Sequence, residues 1–173
     1  SMTAPNASEA KTRSPDSSRE QPRLSDYPLR TAEKLRFADT DCNGHVSHAV
    51  FAVCCQNARM ELLHDPRRVP LPVDARFVIV RLEIDFLDEM HWPGTVVVGT
   101  RCERIGRASL TLAQVLFADG SYAASARSTV ALVDRTTRRA IPLPPETAAA
   151  LQAFRALETN NCVLDPSWQG REG

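Results

Sequence analysis

The sequence predicts an α+β domain in which a curved five-stranded antiparallel sheet wraps around one long helix. Three observations point there. The segment "HAVFAVCCQNARMELL" (48–63) is apolar at helical spacing, the segments after it alternate apolar and polar residues, and the turns between those segments are short. Short connections force neighbouring strands to run antiparallel, and the one apolar face of such a sheet needs a cover. The helix is the only element apolar enough to supply it.

The elements follow in order. Residues 31–37 mix apolar and charged side chains and read as a first strand. In the helix, Phe51, Cys55, Ala58 and Leu62 recur at helical spacing, and Val50, Val53 and Cys54 widen the stripe. Its first half is apolar nearly all round, as in a helix enclosed by other elements, while Asn57, Arg59 and Glu61 form a polar side in the second half. "VRLEIDFL" (80–87) then alternates strictly, with Val80, Leu82, Ile84 and Phe86 on one side, the pattern of a half-buried strand. Pro93-Gly94 marks a turn into "TVVVGTRCERI", and Gly106 permits the reversal into "ASLTLAQVLF". Asp119-Gly120 is a hairpin signal leading to "YAASARSTVALVD". "PPETAAALQAFRAL" closes the domain as a helix with proline near its start and Glu146 in the first turn.

Composition bounds the rest. The first 28 of the 173 residues are nearly free of large apolar side chains and rich in Ser, Pro, Arg and Glu, so they read as a disordered tail, with Ser1 ahead of Met2 as a remnant of expression tagging. The folded domain is expected over 29–158, followed by a tail over 159–173. With 21 basic and 21 acidic residues the formal net charge is zero, which argues against a nucleic-acid partner. No apolar run reaches the ~20 residues of a membrane span. Five cysteines without a CxxC pair fit a reduced, cytoplasmic setting in which they serve mostly as small core residues.

The chemistry concentrates in "FADTDCNGHVSHAV" (37–50). Asp39 to Gly44 match the first half of a calcium-binding EF-hand loop, but position twelve, where that loop needs a bidentate Glu, is Val50. His45 and His48 with Asp41 lack further ligands for a transition metal. Asp39 reads as a turn cap. The turn runs directly into the apolar helix, whose first N–H groups and positive dipole end can polarise a carbonyl oxygen unless Ser47 or Asn43 caps them. Asp41 beside those amides could act as nucleophile or general base, and Gly44 would let the backbone approach a substrate. Such sparse equipment suits an activated acyl compound. A thioester leaves as a thiolate whose conjugate acid has a pKa of ~8.5 and needs little acid assistance.

"RFADTDCNGHVSHAVFAVCCQNARMELL" also resembles the signature of the hotdog-fold acyl-CoA thioesterases of the 4-hydroxybenzoyl-CoA thioesterase-like type. There an aromatic residue and D-T-D-x-x-G-H-V precede a long helix ending in an A-R pair. The close match covers about 30 residues, and the strand pattern agrees over most of 30–135. The resemblance implies that Asp41 is the catalytic carboxylate and that amides around His48 polarise the thioester carbonyl, with Gly44 and His45 shaping the turn. It implies hydrolysis of an acyl-CoA without metal or bound cofactor, and a homodimer or homotetramer with sites at the subunit interface. Arg107 and Ser109, beside the Gly106 turn, fall where CoA contacts often lie.

Three departures from the pattern stand out: Ser47-His48 replace two asparagines, Phe51 replaces a tyrosine, and Gln56 replaces a glutamate. Gln56 can orient water or a carbonyl but cannot accept a proton as a carboxylate does. It could line the substrate pocket or satisfy a buried partner. A non-catalytic hotdog module that binds acyl thioesters is therefore the alternative reading. Hydratase chemistry would want an Asp/His pair that the sequence does not place. Cys54 and Cys55, in mid-helix, read as core, and Trp92 as interface packing.

Overall fold

The computed structural model describes residues 21–156. Strand β1 (Leu29–Lys34) leads through a single 3-10 turn (Phe37–Asp39) and a tight loop into helix α1 (His48–Leu63). Strands β2 (Ala75–Phe86), β3 (Thr95–Ile105), β4 (Ser109–Ala118) and β5 (Ser121–Asp134) follow, and helix α2 (Pro145–Gln152) closes the described chain. All five strands pair antiparallel in one curved sheet of order β1-β3-β4-β5-β2. The sheet is thus a meander from β3 to β5 with β1 and β2 added as outer strands, each leaving one edge without a strand neighbour.

The helix covers one face of this sheet. Phe51, Cys54, Cys55 and Ala58 pack onto Val96, Val98, Leu116 and Ala124, alternate residues that the pleat turns toward α1. Farther along, Leu62 and Leu63 join Leu110, Leu112, Leu132 and Leu151 of α2 in a second cluster. Each fully buried leucine or phenylalanine contributes about 1.5–3 kcal/mol relative to exposure. The expected enclosure of α1 is not complete in one chain, because Val53, Gln56 and Asn57 stay exposed on the side away from the sheet.

Between the two apolar clusters runs a buried polar layer. Gln114, in the middle of β4, donates to the Cys55 carbonyl (3.0 Å) and to Thr100 Oγ1 (3.1 Å), and accepts from Arg59 Nη1 at 3.4 Å. Arg59 is only 4 % exposed. The expectation that Arg59 belongs to a polar outer face is therefore corrected: its guanidinium turns under the helix toward the sheet.

Strand β2 departs from its expected side pattern for a local reason. Pairing with β5 runs Ile79↔Val130 and then Arg81↔Thr129, so Val80 is an extra, bulged residue. Ala75 and Phe77 are buried before the bulge, and Leu82 and Ile84 pack on the core after it. Val80 (61 % exposed) drops off this face, while Phe86 shares the side of Leu82 and Ile84 and meets Phe51 at the open end of the strand, 52 % exposed.

Order also begins before residue 29. Tyr27, 5 % exposed, packs with Val115 and Phe117 on the face opposite α1, and Arg101 stacks 4.8 Å above its ring. A Cβ at Gly99 would lie 2.9 Å from the Tyr27 Cβ and Cγ, so glycine is what lets Tyr27 sit on the sheet. Of the expected tails, residues 1–20 and 159–173 lie outside the described residues. No helix among the described residues is long and apolar enough to cross a membrane.

Candidate active site

Residues 40–46 form a closed turn. Thr40 and Val46 make an antiparallel bridge, and the Asp41 N–H donates to the His45 carbonyl at 2.8 Å. Asp41 Oδ1 accepts from the N–H groups of Asn43 (2.8 Å) and His45 (3.2 Å), so this oxygen holds the loop. Oδ2 has no hydrogen-bond partner among the described residues, and the side chain is exposed. Gly44 lies at φ 78°, and a Cβ there would meet nothing within 4 Å. Within this chain it is the left-handed backbone that favours glycine here.

The turn delivers the chain to an uncapped helix. Ser47 occupies the N-cap position, but neither its side chain nor that of Asn43 makes a capping bond. The Ser47 N–H donates to the Asp39 carbonyl (2.9 Å), and the Ser47 carbonyl accepts from Val50 (2.9 Å). The N–H groups of His48 and Ala49 have no acceptor among the described residues. Two donors at the positive end of a 16-residue helix are thus open. A bond from the Val46 N–H to the Met90 carbonyl (2.9 Å) pins the turn to the chain that follows β2. Between them lies a groove of about 470 Å³ with apolar walls from Val46, Phe51, Phe86 and Leu87, and both Asp41 and His48 line it.

The remaining polar groups sort by what they touch. The His48 ring stands edge-on to Phe86 at 6.3 Å and makes no hydrogen bond with Asp41, so it is a wall of the groove, while its backbone N–H is the open donor. His45 Nε2 lies 3.3 Å from Glu89 Oε2, and its ring meets that of His91 edge-on at 5.2 Å. Asp39 accepts from the Arg36 N–H (2.7 Å) and the Arg36 guanidinium (2.9 Å), bonds that hold its carboxyl below the usual aspartate range. With both Asp39 oxygens occupied, the calcium-like spacing does not become a calcium-like oxygen cage, and no group of three His, Cys, Asp or Glu among the described residues is placed to hold a metal ion. Cys54 and Cys55 are buried in the core, and burial raises their thiols to about 12 and about 11. Neither is a nucleophile at neutral pH.

Two sets of expected residues do not join this groove. Gln56 is exposed and lines a neighbouring groove of about 400 Å³ between α1 and β2, with Val53, Arg59, Val80 and Leu82; it satisfies no buried partner. Arg107 and Ser109 flank the β3–β4 turn, where the Gly106 N–H bonds the Ser109 carbonyl at 2.7 Å. Asp41 sits at the opposite end, where Leu35 follows Lys34↔Thr95 and bonds Gly94. The length of β3 separates them, on the order of 30 Å. Sequence reasoning also misses the wall after β2: Phe86 reads as core, and Leu87, Asp88 and Glu89 carry no signal of their own because their role comes from meeting the loop in space.

Comparison with known proteins bears on this arrangement. The model of the thioesterase-like superfamily matches residues 35–151, most of the chain and all of the groove described above. The chain belongs to this superfamily. The chemistry at that level is thioester hydrolysis. None of the curated proteins matches the chain. Among solved structures it is similar to a thioesterase from Thermus thermophilus complexed with coenzyme A and Zn, at 29 % identity over 75 % of this chain and 95 % of that one, with a TM-score of 0.66. A protein from Bacillus stearothermophilus described as a predicted thioesterase is 28 % identical over 73 % and 96 %, with a TM-score of 0.67. A Pseudomonas aeruginosa protein shares the fold at 23 % identity over 77 % and 95 %, with a TM-score of 0.70. As a member of the superfamily, the chain holds its 40–46 loop in a closed, hydrogen-bonded form.

Proposed function

We propose that this protein hydrolyses acyl-CoA thioesters, with Asp41 as nucleophile or general base and the N–H groups of His48 and Ala49 receiving the thioester oxygen. The observation that carries this reading is the pairing of one uncommitted carboxylate oxygen with two open helix-end donors in a single apolar-walled groove. As the carbonyl carbon becomes tetrahedral, charge grows on its oxygen, and donors already aimed outward stabilise it without reorganisation. The thiolate then departs with little need of an acid, which suits a site where His48 is not bonded to the carboxylate.

The substrate class is supported by the Thermus thermophilus relative, which was crystallised with coenzyme A. The acidic side chains of Asp41, Asp88 and Glu89 around the groove would repel nucleotide phosphates, so the nucleotide belongs outside it. Arg107 and Ser109 can contribute to nucleotide binding only from a second protomer. A homodimer is the assembly we infer, joined along the free edge of β2, where Ile79, Val80 and Phe86 beside Val53 of α1 form an exposed apolar strip. Such pairing would also close the uncovered side of α1. The alternative, a module that binds acyl thioesters without cleaving them, keeps the same groove and differs only in turnover. A panel of acyl-CoA substrates with thiol release as readout separates the two: catalytic release above background is expected, and none with any acyl chain would overturn the hydrolase reading.

A further inference from the structure

The 40–46 loop orients Asp41 by its own bonds, so what remains is to hold the loop itself against the groove. The segment after β2 is anchored firmly enough to do so. The N–H groups of Leu87 and Asp88 both donate to the Ala123 carbonyl of β5, at 2.9 and 3.1 Å. Asp88 Oδ2 accepts from Ser121 Oγ (2.6 Å) and Oδ1 from the Glu89 N–H (2.8 Å), bonds that keep its carboxyl below the usual aspartate range. Met90 is 1 % exposed, in the same apolar cluster as Phe51 and Cys54. Glu89 therefore projects from a fixed base toward the loop.

It meets that loop at one residue. Glu89 Oε2 lies 3.3 Å from His45 Nε2 and 3.6 Å from His91 Nε2, and the two imidazoles meet edge-on at 5.2 Å. Among the described residues, no other side chain of 41–45 makes a hydrogen bond, ion pair or ring contact outside the loop. His45 is also the residue that clasps Asp41, through its N–H and its carbonyl. A hold on its ring thus reaches the carboxylate through a single residue. The other titratable groups on the neighbouring elements are Asp41 and Cys42 of the loop, His48 at the start of α1, Asp88, and Asp119 of the β4–β5 turn. None of these makes a hydrogen bond or ion pair with either imidazole.

We propose that Glu89 is a positioning residue: by holding the His45 side chain it seats the loop, and with it Asp41, against the open donors of α1. The kinetic half of this inference rests on the hydrolase reading above, whereas the loop contact does not. The hold depends on charge. A protonated imidazole attracts Glu89 as an ion and a neutral one only as a hydrogen-bond donor. The hold is therefore strongest below the ordinary histidine value of ~6.5 and weakens as pH rises through it. Both side chains reach solvent, so the pair shifts an equilibrium by a few-fold rather than by orders of magnitude.

The test follows wild type, Glu89→Gln, His45→Ala and the double variant at pH 6 and pH 8.5, in two measurements. One is amide hydrogen exchange of Val46, whose N–H bonds the Met90 carbonyl at 2.9 Å and is freed when the loop leaves the segment. The other is kcat and KM for thiol release from acyl-CoA. Glu89→Gln is expected to speed Val46 exchange by about two- to fivefold at pH 6 and by less at pH 8.5. In the same variant kcat should fall by that factor, with that pH dependence, while KM holds. Comparison with wild type at each pH cancels the titration of the chemistry itself. His45→Ala keeps both backbone bonds to Asp41 and should match Glu89→Gln, and the double variant should be no worse than either. Losses that multiply in the double variant, or a change confined to KM, would mean that Glu89 acts on the substrate directly and would overturn the proposal. Faster exchange with kcat unchanged would overturn it too. Unchanged Val46 exchange with turnover intact would do so while leaving hydrolysis standing. Faster exchange in a protein that cleaves no acyl-CoA would uphold the loop contact and remove the hydrolase reading instead.

Discussion

Asp41 and His45 clasp each other twice across the loop, through the bond from the Asp41 N–H to the His45 carbonyl and the bond from the His45 N–H to Asp41 Oδ1. The second bond fixes one carboxylate oxygen and leaves the other toward the groove. A loop that holds its own carboxylate in this way needs no separate orienting residue, and under the proposed mechanism activity depends on the backbone geometry of the turn.

The turn therefore predicts its own weak point. Gly44→Ala should cost about 1–2 kcal/mol of stability from its left-handed conformation alone, since no atom obstructs a Cβ there. Gly44→Asn should recover most of that loss, because asparagine tolerates this conformation. Thermal unfolding checks both, and equal destabilisation by the two would contradict the backbone explanation.

Association along β2 predicts a change of size. Val80→Arg places a charge at the centre of the exposed strip, at a bulged position with no core contacts to lose. The expected outcome in light scattering is a dimer for the parent protein and a monomer of unchanged secondary structure for the variant. An unchanged mass would place the contact elsewhere.

Acid stability follows from Asp39. Its carboxyl titrates lower in the folded chain than in the unfolded one, because the Arg36 N–H and guanidinium hold the anion. A depressed folded value means the contribution is complete above the ordinary aspartate value of ~3.9 and is lost as pH falls through the lower, folded one. Melting temperature measured from pH 6 to 2 should fall less steeply for Asp39→Asn than for wild type. Parallel curves would show that the Arg36 pair contributes nothing.

Among the described residues, thiol chemistry separates one cysteine from three. Cys54, Cys55 and Cys102 are buried with thiols raised to about 12, about 11 and about 11, while Cys42 is exposed beside Asp41. At pH 8 iodoacetamide should label Cys42 and leave those three untouched until denaturant is added, as read by peptide mass spectrometry. Rapid labelling of Cys54 in the native protein would contradict the packing of α1.

What was legible in the sequence was whatever depends on local period. The bounds of α1 at 48–63 and of β3 at 95–105 follow from spacing and turn residues, and Asp119 and Gly120 both take the positive φ that their hairpin signal implies. What failed depends on long-range geometry. Arg59 reads as polar surface because a charge is normally solvated, and only Gln114, 55 positions away, turns it inward. Val80 looks like core because a bulge leaves no mark in an alternating pattern. Tyr27 looks like tail because its partners, Gly99 and Val115, lie across the sheet. At the site, Asp41 and the helix start are legible as one motif, whereas Arg107 and Ser109 rest on analogy and stand at the other end of the strand.

The most direct measurement is the turnover of acyl-CoA by Asp41→Asn, followed by thiol release. Asparagine keeps an oxygen for the Asn43 and His45 amides, so the loop should hold and the melting temperature should change little. The account predicts a drop in kcat of about a hundredfold or more, the range expected when a positioned base or nucleophile is removed. Turnover within about twofold of wild type, with the fold intact, would contradict the central claim.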